Sequence, residues 1–192
     1  SVLATKGSCL SLLPDDTSTN GYTENLIAQN NTLETIDGTP CIIINYYSLL
    51  VERKLKKVLV SNNILKSNTG ASIFFYAGLE VAIENNYIES QSNCIAFYRS
   101  YDSFNNSALY SDKIKVRNNT LKGLNAFRFN SFTTTTSELI IENNNYILTN
   151  EVFSMGNYTS NPNISLLDIN HNETGMAFSS GVYFKYTNLA TL

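Results

Sequence analysis

Few side chains in this sequence could carry chemistry. The only histidine is His171, so a multi-histidine metal site is excluded and a Ser-His-Asp triad would hinge on that one residue. His171 lies between Asn170 and Asn172 and reads as a turn residue. Cys9, Cys41 and Cys94 show neither C-x-x-C spacing nor an even count, so neither zinc nor a disulfide framework is indicated. Cys41 and Cys94 each directly precede a short apolar segment, as packed core thiols would. In the long segments that follow the second apolar stretch of each repeat, the charged groups close together in sequence are Glu52 with Arg53, and Arg99 with Asp102; Arg128 follows about one repeat further on. A glycosidase needs two carboxylates about 5–5.5 Å apart for retention, or about 6.5–9.5 Å for inversion. A calcium-dependent polysaccharide lyase needs clustered acids and a nearby base. The candidate catalytic set is therefore Asp102, Arg99 and Arg128, against the plainer reading of solvated or structurally paired charges. Tyr76, Tyr98, Tyr101 and Tyr158 are the candidate carbohydrate contacts, because a flat apolar ring with a hydroxyl suits a sugar face. The alternative is that they cap the core edge or fill a subunit interface. No metal or cofactor set emerges.

A repeat must position these residues. The pattern apolar, any, apolar, any, Asn, Asn, any, apolar occurs at 26–33, 58–65, 81–88, 114–121 and 139–146, with a degraded sixth copy at 167–174. The second Asn of each pair falls at Asn31, Asn63, Asn86, Asn119, Asn144 and Asn172. Beyond each marker comes a second short apolar segment: 42–44, 73–75, 95–97, 127–129, 153–155 and 182–184. Period two in both segments means strands, and an Asn pair between apolar residues marks a corner, where Asn tolerates left-handed backbone. No stretch of ten or more residues has helical periodicity; 49–55 reads at most as a turn or two of helix. Units of this kind cannot bury an apolar face alone, but stacked at about 4.8 Å they enclose a continuous core.

The register brings like residues over like. Stacked Asn side chains can bond along the stack, and the position after the corner reads Glu34, Lys66, Glu89, Lys122, alternating in sign. Glu84, Arg117 and Glu142 alternate likewise just before the Asn pair. These rows read as structural, since opposite charges across strands resist register slip.

Composition sets the outer limits. The 192 residues carry 13 basic and 16 acidic side chains, a net charge of -3, and no long Lys/Arg run, so a nucleic-acid partner is not expected. The longest apolar runs fall far short of the roughly 20 residues a membrane-crossing helix needs, so membrane insertion is not expected either. Reading the rows gives 27 Asn, 21 Ser and 18 Thr, but 12 Tyr, 10 Phe and many β-branched residues argue for an ordered chain. Six N-x-S/T sequons follow from the Asn richness, and three of them fall on the corner.

The repeated corner, quoted above, resembles the right-handed parallel β-helix of the pectate-lyase-like superfamily, with its interior asparagine ladder. The Asn/Ser/Thr-rich, Gly-poor composition with long loops is most similar to phage tailspike and tail-fibre depolymerases. The resemblance implies an all-β, right-handed parallel β-helix (solenoid) of about six coils over 22–186, with a leading segment, 1–21, and a C-terminal tail, 187–192. It also implies a tailspike-like homotrimer of the virion tail or extracellular space that binds a bacterial surface polysaccharide, with its cleavage, by a lyase or glycoside hydrolase reaction, as the activity to look for. A secreted polysaccharide lyase or hydrolase, or a purely structural or adhesive β-helix, is the alternative. The outward residues Ile43, Phe74 and Ala96 are expected to form an apolar stripe, covered by a subunit interface or by loops folding back. Neither end reads as a capping helix, so the chain is expected to be a piece of a larger protein or to pair with copies of itself.

Overall fold

The computed structural model describes residues 2–4, 9–12, 22–44, 54–75, 80–98, 111–130, 136–150, 152–155, 167–168, 172–177 and 183–186. All the regular elements among them are strands, and all but one pair of those strands run parallel. The repeat consists of a strand, the Asn corner, a second strand and a third strand. The first strands are Tyr22–Gln29, Lys54–Ser61, Glu80–Glu84, Ser111–Arg117, Thr136–Glu142 and Leu167–Asp168, which form a six-stranded sheet. The second and third strands lie in a ten-stranded sheet, and in the two central repeats they merge into the single strands Tyr87–Tyr98 and Thr120–Asn130. Val2–Ala4 and Leu10–Leu12, which precede the first copy of the sequence pattern, already pair in parallel with Thr32–Thr35 and Ile42–Ile44.

At each corner the first Asn takes the left-handed conformation, with φ between 52° and 59° at Asn30, Asn62, Asn85, Asn118 and Asn143. That residue turns the chain and exposes its own side chain, while the second Asn points inward. Asn63, Asn86, Asn119 and Asn144 are all buried. Along the ladder each Nδ2 donates to the next Oδ1, from Asn31 to Asn63 at 3.1 Å, Asn63 to Asn86 at 3.0 Å, Asn86 to Asn119 at 2.9 Å and Asn119 to Asn144 at 3.0 Å. The same Oδ1 also accepts the backbone N–H of the Asn one repeat earlier, so each amide caps a corner N–H that no strand can reach. The remaining Nδ2 proton goes to a carbonyl, such as Val60 O for Asn86, at 2.9 Å. The expected stacking of these asparagines is thus present.

The inward apolar positions follow the alternation of the sequence. Leu33, Leu65, Ile88, Leu121 and Tyr146 are buried two residues after each marker, and Ile42, Ile73, Ile95 and Phe127 are buried in the third strands. Phe75 and Phe97 meet edge to face at 5.5 Å, and Phe127 lies 6.4 Å beyond Phe97. Gly38 and Gly70 stack where the second strands end. A Cβ on Gly70 would sit 2.0 Å from the Gly38 carbonyl oxygen, so no larger residue fits without backbone movement.

The last repeat departs from expectation. Leu167–Asp168 does continue the six-stranded sheet beside Leu139–Ile140. Asn172–Ala177 then pairs antiparallel with Tyr183–Tyr186, instead of supplying a second and third strand to the stack. Two positions after the marker this copy has Thr174, followed by Gly175, where the other copies have Leu, Ile or Tyr. The expected helical turn at 49–55 is also replaced in part, because Lys54 and Leu55 already belong to a strand.

Candidate functional site

The third-strand side was expected to carry the site. Its register is as the sequence implies: Ile43, Phe74, Ala96, Arg128 and Ser154 lie in one row. Arg128 is half-buried in that row and engaged in interactions of its own. Tyr98 closes the strand Tyr87–Tyr98, in register with Asn130. Tyr76, Arg99, Tyr101, Asp102 and Tyr158 lie outside the described residues. Of the candidate catalytic set, therefore, only Arg128 has a described position. The apolar stripe is only partly open: Ala96 is fully buried within the single chain, and Ile43 and Phe74 are half-buried.

A groove of about 480 Å³ runs along the outer face of the six-stranded sheet. Residues from three register rows line it. Its central row is Ile27, Leu59, Ala82 and Lys115, flanked by Asn25, Lys57, Glu80 and Lys113 on one side and by Glu84 and Arg117 on the other; Ile140, Glu138 and Glu142 continue these rows in register on the next strand. Ile27 is 63% exposed on this face. Arg117 Nε donates to Glu84 Oε2 at 2.7 Å and its Nη1 lies 4.0 Å from Glu142, which raises the guanidinium pKa further. Lys57 Nζ is 3.7 Å from Glu80. The neighbouring face carries the predicted charge row, where Lys122 Nζ meets Glu89 at 2.8 Å and Tyr87 Oη donates to Glu89 Oε2 at 3.0 Å. The Lys122 bond holds the Glu89 carboxyl below its ordinary pKa. A carboxylate kept ionised in this way is suited to an ion pair and unsuited to general-acid work.

The interior groups are structural. All three cysteines occupy one row, each immediately before a third strand, and each donates to a carbonyl one repeat on. Cys9 Sγ reaches Glu34 O at 3.2 Å, Cys41 Sγ reaches Lys66 O at 3.1 Å and Cys94 Sγ reaches Lys122 O at 3.4 Å. Ser72 holds the equivalent place with its hydroxyl on Glu89 O at 2.7 Å. Burial pushes the Cys41 thiol up to about 11, and raises that of Cys94 as well. Neither is a nucleophile at neutral pH. Among the described residues no three His, Cys, Asp or Glu side chains converge to hold a metal, and no helix is long and apolar enough to cross a membrane.

Two features were not read from the sequence. A second asparagine ladder runs from Asn150 Nδ2 to Asn125 Oδ1 at 2.9 Å and from Asn125 Nδ2 to Asn93 Oδ1 at 3.0 Å. The register shifts between Ser90 and Asn93, so no fixed spacing announces it. The row Lys57, Glu80, Lys113, Glu138 was also missed, although each residue lies one or three positions before an apolar strand residue and could have been aligned from the repeats. Comparison of the chain with models of known protein families, with curated proteins and with solved structures finds no match.

Proposed function

We propose that this chain is a right-handed parallel β-helix of the pectate-lyase-like kind and that it acts as a rigid scaffold binding a bacterial surface polysaccharide, outside the cell or on a virion tail. The observation that carries the reading is the register of the third strands. Ile44, Phe75 and Phe97 are aligned, so the segments that follow each third strand start from one edge of the stack. Those segments hold Tyr76, Tyr98, Tyr101 and Tyr158. Residues gathered along one edge of a solenoid form an extended binding surface, and tyrosines there offer ring faces to successive sugars.

Binding is the core of the reading, and cleavage is an extension of it. The one carboxyl with a shifted pKa among the described residues, Glu89, is shifted downward, against what a general acid needs. Cleavage would fall to Asp102 with Arg99 and Arg128. A homotrimer covering Ile43 and Phe74, both half-buried in the single chain, belongs to the same reading. It is tested by presenting the protein with a panel of capsular and lipopolysaccharide glycans. Binding to at least one glycan, weakened by Tyr98→Ala or Tyr101→Ala, is the expected result. New reducing ends or unsaturated uronates would add catalysis to the reading. Failure to bind any glycan would leave a structural solenoid.

A further inference from the structure

The outer face of the six-stranded sheet has a charge pattern of its own. Ser111–Arg117 presents three cations outward, Lys113, Lys115 and Arg117, and the strands on both sides carry acids at the flanking positions: Glu80 and Glu84 below, Glu138 and Glu142 above. Lys57 lies beyond Glu80. The face is thus banded strand by strand: positive, negative, positive, negative. An anionic small ligand does not suit it, because Lys115, although its register neighbours are Ala82 and Ile140, is ringed diagonally by four acidic positions.

A banded face of this kind is complementary to itself when reversed. We propose that two copies of this chain pair through this sheet, face to face, about a dyad parallel to the strands and midway between Glu80–Glu84 and Ser111–Arg117. A two-fold interface sets each residue against the image of its partner in the opposite order. The Glu80–Glu84 strand then faces the cationic strand of the other copy, with Glu84 against Arg117 and Ala82 against the Lys115 stem. Lys57 faces the Glu138 position, and Leu59 faces Ile140 in the apolar centre. Pairing the same faces side by side in the same direction would set each band against its like, and like charges in contact select against that register. The overlapping face is roughly 25 Å by 20 Å, on the order of 500 Å² from each copy. That is at the weak end of specific association, so the pair is concentration-dependent.

The test is a cross-link combined with sedimentation. Leu59 and Ile140 are three strands apart within a chain, about 14 Å, too far for a disulfide, whose Cα atoms stand no more than about 7 Å apart. Across the dyad they face each other at the spacing of stacked sheets, about 10 Å, which is also beyond a direct disulfide but within reach of a short thiol-to-thiol linker. The Leu59→Cys/Ile140→Cys variant, treated with such a linker, should give a covalent dimer with position 59 of one chain joined to position 140 of the other, whereas Leu59→Cys alone should not cross-link. In sedimentation the unmodified chain should show monomer and dimer exchanging with concentration. Leu59→Asp should weaken the pair by about tenfold or more; because Leu59 is half-buried between Ile27 and Ala82 in the single chain, its thermal melt is followed alongside to separate pairing from folding. A strictly monomeric chain at high micromolar concentration overturns the proposal, as does a 59-to-59 cross-link or a Leu59→Asp variant that dimerises as well as the parent.

Discussion

Replacing Asn86 by Leu tests the ladder where it is most enclosed. Asn86 Oδ1 accepts from the Asn63 backbone N–H at 2.9 Å and from Asn63 Nδ2 at 3.0 Å, and its own Nδ2 donates to Val60 O and Asn119 Oδ1, both at 2.9 Å. Four bonds are lost, but the losses are unequal. Asn63 Nδ2 keeps Ala28 O, and Asn119 Oδ1 keeps the residue-86 backbone N–H. Asn63 N–H is left with nothing, in a residue 1% exposed. One stranded buried donor costs about 1–3 kcal/mol; the weakened acceptors add to this and the apolar Leu offsets part of it, leaving about 1–3 kcal/mol net. Asn31→Leu is the internal control, since Asn31 is half-exposed and its side chain caps no described backbone N–H. Urea or thermal unfolding of both variants beside the parent measures the difference. The reasoning is refuted if Asn86→Leu costs under about 0.5 kcal/mol, or no more than Asn31→Leu.

Glu89→Gln should cost at most about 1 kcal/mol in the same melts, because its pair with Lys122 is partly exposed. Since pairing lowers the folded pKa of Glu89, its contribution is present above the ordinary carboxylate range and is lost as pH falls through the lowered value, which an acid titration of the parent against the Gln variant should show. Gly70→Ala should destabilise by about 1–3 kcal/mol, since its methyl group meets the Gly38 carbonyl oxygen, a backbone atom that cannot rotate away. Cys94→Ser should melt closer to the parent than Cys94→Ala, because the hydroxyl can still donate to Lys122 O as Ser72 does to Glu89 O; the opposite order would remove the donor role assigned to this row. In thiol titration of the native chain Cys9, half-buried, should react before Cys41 and Cys94.

What the sequence disclosed depended on fixed spacing. Asn63, Asn86, Asn119 and Asn144 stood in a rigid eight-residue pattern, because the corner allows one left-handed residue followed by one inward amide, so their ladder was legible. The alternation of Glu34, Lys66, Glu89 and Lys122 was legible for the same reason, as it counts from the same corner. The ladder through Asn93, Asn125 and Asn150 was not, because the segment between the second and third strands differs in length from one repeat to the next. The shared role of Cys9, Cys41, Ser72 and Cys94 was hidden by chemistry rather than spacing: thiol and hydroxyl serve the same carbonyl. The hairpin that ends the described chain was missed because Asn172 keeps the marker while Thr174 stands where the other copies have Leu, Ile or Tyr. Of the expected site, Arg128 lies in its row, and Arg99, Tyr101, Asp102, Tyr76 and Tyr158 lie outside the described residues.

The central claim, that repeats 23–33 residues apart stack with one inward amide per corner, is tested most directly by side-chain amide NMR. The account predicts through-space contacts linking the amides of Asn63 with Asn86, Asn86 with Asn119 and Asn119 with Asn144, and slow hydrogen exchange at these four, with fast exchange at the neighbouring Asn62, Asn85, Asn118 and Asn143. Uniformly fast exchange, or protection of the first Asn of each pair instead of the second, would contradict it.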